Sequence, residues 1–79
     1  MTDQVTKTAL DEWARTCEII GDRIKGVSAE IEVQRGREHE CWEAQDLFHL
    51  NEVKAEISNL MAVRTALRDL LADLTRREP

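Results

Sequence analysis

Apolar residues in the first half of the chain recur at alternating spacings of three and four residues. This alternation places them on one stripe of an α-helix and is typical of the a and d positions of a heptad repeat. The intervening residues are mostly polar. The pattern predicts an amphipathic helix whose packing face comprises Leu10, Trp13, Cys17, Ile20, Ile24, Val27 and Ile31.

A second stripe with the same alternation occupies the second half of the chain. Its apolar members are Leu50, Val53, Ile57, Leu60, Leu67, Leu71 and Leu74, with Leu70 beside them. Arg64 stands at an a position among these leucines. The extra apolar positions widen the stripe, which suits a helix in a bundle of three or four helices better than one in a two-stranded coil.

The two stripes are out of phase, because 19 residues separate Ile31 from Leu50 and 19 is not a multiple of seven. The segment 34–40 between them, QRGREHE, contains no apolar side chain. Gly36 within it can end a helix in the left-handed conformation. These features indicate a turn between two helices.

We therefore predict a single all-α domain, an antiparallel hairpin with helices over about 8–34 and 39–76 and a turn near 35–38. A single continuous rod is the alternative, because Arg, Glu and Gln in the predicted turn favour helix. Gly21 and Gly26 weaken the first helix, but the heptad phase continues through both, which favours a continuous helix.

These bounds give helices of about 40 and 57 Å, so the second helix outreaches the first. The segment 67–74 would project beyond its partner, and contiguous exposed leucines usually mark an interface. We expect two hairpins to form a homodimeric four-helix bundle. A second protein that inserts a helix is the alternative partner.

Composition and charge narrow the class of protein. The 79 residues carry a net charge of −5, which argues against general binding to nucleic acid. No apolar run approaches the roughly 20 residues of a membrane span, and the N-terminus lacks a signal-peptide apolar segment. We expect a cytoplasmic protein that is not an enzyme, because no catalytic motif is present.

The two cysteines and two histidines are the residues considered for a disulfide or a zinc site. In the predicted register, Cys17 and Cys41 lie about 20 Å apart, too far for a disulfide. His39, Cys41 and His49 do not converge on one point, as zinc requires. We expect no metal and no cofactor.

Two features are candidate partner-binding sites. Trp42, Leu47 and Phe48 form an aromatic and apolar cluster ringed by acids; it is either a binding hot spot or a cover for the turn. Arg64 would lie near residues 10–13, where Asp11 or Trp13 could satisfy it. Its simplest role is to set the helix register, and its alternative role is to anchor an anionic ligand.

The leading functional hypothesis is a small adaptor, chaperone or inhibitor acting through protein–protein contacts. With Arg35 and Gly36 in the turn, the layout resembles the small helical-hairpin co-chaperones of type III secretion, which implies pairing with a different subunit. Other hypotheses are a helical-bundle ligand-binding protein or enzyme using Arg64, and a nucleic-acid regulator or acidic mimic with its acids on one face.

Overall fold

The computed structural model describes the chain from residue 2 to 79, with side-chain positions from Thr6 onward. Two α-helices, α1 (Thr2–Glu43) and α2 (Leu47–Arg76), pack antiparallel along their lengths. The hairpin measures 66 × 15 × 12 Å. The predicted all-α helical hairpin is confirmed for the described part of the chain, and α1 runs without interruption through Gly21 and Gly26.

The predicted turn near 35–38 is wrong, because α1 continues through this segment to Glu43. Good helix formers are linked there by local contacts. Gln34 donates to Glu30 at 3.1 Å, and Arg35 lies 3.7 Å from Glu32. Gly36 has no positive φ, and a Cβ added to it would meet no atom within 4 Å. The glycine is simply an exposed helical residue.

The chain instead reverses over Ala44, Gln45 and Asp46. Gln45 adopts the left-handed conformation with φ of 56°. Its N–H donates to the carbonyl of Trp42 at 3.1 Å, and the N–H of Asp46 donates to that of Cys41 at 2.9 Å. These two bonds form a Schellman motif, which ends helices most often with glycine at the left-handed position. The sequence carries no glycine here, so the motif left no signal.

The first heptad stripe continues to the end of α1. Gln34, Glu38 and Cys41 extend the alternation of three and four residues beyond Ile31, and all are buried or half-buried. Gln34 is only 7% exposed and keeps its amide satisfied, because it donates to Glu30 and accepts from Arg37. The two stripes therefore change phase at the Gln45 turn and not at Gly36.

One hydrogen bond reports the register between the helices. The indole Nε1 of Trp13 donates to the carbonyl oxygen of Leu74 at 2.8 Å, so the numbers of facing residues sum to about 87. The grooves along the hairpin agree, because one is lined by both Val27 and Leu60 and another by both Gln34 and Val53.

This register reverses the predicted length mismatch. The first helix has 42 residues and the second has 30, so α1 outreaches α2 and not the reverse. The segment 67–74 faces the region from Trp13 to Ile20 instead of projecting beyond it. About nine residues at the start of α1, roughly 14 Å of helix, extend past the end of α2.

The core of the hairpin is thin. The apolar residues Ile20, Ile31, Leu50 and Val53 are buried, and the other predicted packing residues are half-buried, apart from two. Leu10 is 39% exposed because it lies beyond the end of α2. Leu70 is 46% exposed because it flanks the a and d positions and points to the side of the hairpin.

The turn assignment predicts that two opposite substitutions both stabilise the protein. Gly36→Ala should raise the free energy of unfolding by about 1 kcal/mol, because it replaces an exposed helical glycine. Gln45→Gly should raise it by roughly 0.5–1 kcal/mol, because glycine adopts the left-handed backbone conformation without the steric cost of a side chain. Urea denaturation measures both changes. If Gly36→Ala destabilises the protein and Gln45→Gly does not stabilise it, the turn lies at 35–38 and not at Gln45.

The two tryptophans provide a matched test of the register. Trp13→Phe should lower the free energy of unfolding by roughly 1–2 kcal/mol, because it removes the bond to Leu74 and some packing. Trp42→Phe should leave stability within about 0.5 kcal/mol of the parent, because Trp42 is exposed. Equal effects of the two substitutions in urea denaturation would contradict the observed register.

Candidate interaction surfaces

The turn end of the hairpin carries an exposed apolar surface, here called the tip patch, formed by Trp42, Leu47 and Phe48. Their exposed fractions are 64%, 62% and 70%. All three lie within two residues of the three-residue connection between the helices. The alternative prediction, that these side chains cover the turn, does not fit their exposure. They project into solvent.

Ionisable side chains near the tip patch form contacts on each side of the turn. His39 lies 3.1 Å from Glu43 in the last turn of α1. Across the turn, Asp46 accepts from the backbone N–H of His49 at 3.2 Å, and its Oδ2 lies 2.6 Å from Nδ1 of the same histidine. The hydrogen bond with the His49 side chain, followed by the backbone bond, lowers the pKa of Asp46 below 3.8.

A second exposed surface lies on one side of the hairpin. A groove there between α1 and α2, here called the lateral groove, is lined by Ile19, Asp22, Arg23, Gly26, Val27, Glu30, Leu60 and Val63. Ile19 is 61% exposed and Val63 is 48% exposed. Val63 is one of the extra apolar positions that widen the second stripe, whereas Ile19 and Val33 lie outside both predicted stripes. The available signal was the spacing of seven residues from Ile19 to Gly26 and from Gly26 to Val33.

Arg64 is half-buried at its a position in α2. The register places it opposite Ile24 and not near residues 10–13, so the predicted contacts with Asp11 or Trp13 do not form. No ion pair or hydrogen bond joins Arg64 to another described side chain. The groove next to it along α2, lined by Leu60 and Val63, does not include it. The ligand-binding hypothesis, which requires a cavity lined by Arg64, stays a prediction.

The cysteines and histidines remain separate. Cys17 and Cys41 are free and half-buried on the same helix, 24 residues apart, which corresponds to about 36 Å. The distance exceeds the predicted one because both cysteines belong to α1. Among the described side chains, no three His, Cys, Asp or Glu residues come close enough together to hold a metal ion.

The acidic residues of the segment 30–46 do not share one face. Glu30 lines the lateral groove with Val63, whereas Glu38 lines a groove at the tip with Trp42 and Lys54. A mimic of a nucleic-acid backbone needs its charges on one side, so this arrangement does not support that hypothesis. Within the described part of the chain, neither helix is long and apolar enough to span a membrane.

Comparison with known proteins assigns no relative. Neither protein-family models, nor curated proteins, nor solved structures match the chain. The predicted resemblance to type III secretion co-chaperones depended on a turn at Arg35 and Gly36. Both residues lie inside α1, so the feature that carried the resemblance is not present.

The Asp46 contacts predict how the turn responds to acid. Because the pKa of Asp46 is lower in the folded protein than its value of about 3.9 in the unfolded chain, its ionised form stabilises the fold. That contribution is complete above about pH 4 and is lost as the pH falls through the folded-state pKa.

Asp46→Asn should retain a cap for α2 while removing the titration. The parent should therefore lose more stability than Asp46→Asn between pH 6 and pH 2, as measured by urea midpoints. Parallel losses in the two proteins over this range would show that the Asp46 carboxylate does not stabilise the turn.

Proposed function

We propose that this chain is a small non-enzymatic protein–protein interaction module that acts as a helical-hairpin homodimer. The observation that carries the proposal is the distribution of large apolar side chains. Among the described residues, nine are substantially exposed and only four apolar residues are buried. Contiguous exposed apolar surface on a small protein usually marks an interface.

The total surface supports the same proposal. The chain has an accessible surface of 6264 Å², whereas a compact monomer of its mass, 9.1 kDa, has about 4,900 Å². The excess exceeds the roughly 800 Å² that each partner buries in a standard protein interface. A second hairpin packed along the first would complete a four-helix bundle and bury surface that one hairpin leaves exposed.

The two exposed surfaces suit two roles. The lateral groove extends along the hairpin, as an interface between parallel or antiparallel bundle helices requires. The tip patch lies at one end, where Trp42 and Phe48 offer aromatic rings that are enriched at binding hot spots. A dimer formed through the side of the hairpin leaves the tip patch available to a different protein, which is the arrangement of an adaptor, chaperone or inhibitor.

Sedimentation equilibrium tests the self-association. We expect a mass near twice the 9.1 kDa of one chain, dissociating on dilution. Because folding and association are linked, the thermal midpoint should rise with protein concentration. The double variant Trp42→Ser and Phe48→Ser is the matched control and should sediment as the parent does. A 9.1 kDa species throughout, with a midpoint independent of concentration, would contradict the homodimer.

A further inference from the structure

One face of α1, here called the lateral face, repeats the spacing of the packing stripe with different residues. Ile19, Arg23, Gly26, Glu30 and Val33 follow one another at spacings of four, three, four and three. Such spacing places them on a single stripe of the helix. Ile19 and Val33 are 61% and 57% exposed, so α2 does not cover this stripe.

The lateral face is self-complementary about Gly26. An antiparallel second copy with its two-fold axis near Gly26 brings Ile19 opposite Val33 of the other copy. It also brings Arg23 within one residue, about 1.5 Å along the helix, of the position opposite Glu30 of the other copy. Each contact occurs twice by symmetry. We propose that a second copy of this chain docks here, α1 against α1. This inference rests on the proposed homodimer and specifies its interface.

Charge complementarity selects the antiparallel arrangement. A parallel copy in the same register would place Arg23 against Arg23 and Glu30 against Glu30. Within one chain the two residues lie about 10 Å apart along α1, and no ion pair joins them. Glu30 uses its Oε1 to accept from Gln34, which leaves its other oxygen for an arginine of the second copy.

Gly26 fits the position on the axis. A Cβ added to Gly26 would meet no atom within 4 Å of its own chain, so the hairpin itself does not require a glycine here. On a two-fold axis between antiparallel helices, the missing side chain lets the two backbones approach closely. Gly36 has equally empty surroundings. It lies ten residues further along α1 and about 80° around the helix from Gly26, outside the lateral stripe, so it serves as the control.

The residues at the two ends of the lateral stripe limit the length of the proposed interface. Glu12 would face Glu40 of the second copy at about 21 Å from the axis, where like charges oppose contact. The central contacts therefore carry the interface, and the tip patch stays outside it.

A charge-reversal cycle tests the contact between Arg23 and Glu30. Arg23→Glu and Glu30→Arg should each raise the dimer dissociation constant about tenfold, because two attractive pairs become repulsive. The double variant should return it to within about threefold of the parent, because the pairs re-form with exchanged signs. Sedimentation equilibrium at low salt measures all four proteins, and circular dichroism confirms that each is helical.

Matched glycine substitutions test the axis. Gly26→Gln should raise the dissociation constant at least tenfold, because two new side chains occupy the axis, while the helix itself gains propensity. Gly36→Gln should leave association unchanged.

The outcomes separate this inference from the proposed function. A parental dimer that resists both Arg23→Glu and Gly26→Gln would overturn the lateral face and leave the homodimer standing on another surface. Charge reversals that weaken the dimer without restoration in the double variant would overturn the antiparallel pairing. A parent that remains a monomer at every concentration would overturn the homodimer and the lateral face together, whereas the expected pattern supports both.

Discussion

The Schellman turn at Gln45 is the constraint on which the rest of the hairpin depends. It ends α1 at Glu43 and positions Asp46 to cap α2 only one residue later. So short a connection leaves little freedom in how the helices align, and it determines which residues of one helix face which residues of the other. The bond from Trp13 to Leu74, about 30 residues from the turn on each helix, is the far end of the same alignment.

That alignment also explains why the core is thin. Two helices share only one line of contact, so each can bury little more than its a and d positions. Here several of those positions are polar or charged, including Gln34, Glu38 and Arg64. A hairpin of this length consequently keeps apolar residues on its sides as well as its seam, and Ile19, Val33 and Val63 remain exposed.

The class of fold could be predicted from the sequence because heptad spacing indicates amphipathic helices wherever the turn between them lies. The predicted turn was misplaced because Gly36 and the polar residues around it were given more weight than the heptad spacing that continues through them. Gly36 and its polar neighbours looked like a break, but charged residues on the outside of a helix look the same. Gln34, Glu38 and Cys41 kept the heptad phase through that segment, and this was the available evidence for a continuous α1.

The error in the turn propagated to the candidate sites. Moving the reversal from about residue 37 to residue 45 shifts the partner of Arg64 from the region of Trp13 to Ile24. It also transfers the overhang from the end of α2 to the start of α1. The tip patch was predicted from its composition, which does not depend on the register of the helices. The lateral face could not be predicted in this way, because its residues are recognised only once the residues that pack between α1 and α2 are known.

Folding and association are expected to be coupled in such a molecule. Among the described side chains, four buried apolar residues support 72 helical residues, counting the 42 of α1 and the 30 of α2. Helices within proteins gain most of their stability from tertiary packing, which is sparse here. A second copy on the lateral face would turn exposed apolar area into core and would support α1 along a length that α2 only partly covers. In the proposed dimer, the polar residues between α1 and α2 would set the register, and the contacts between the two copies would add stability. The exposed side of α1 would then contribute to the stability of the fold as well as to binding.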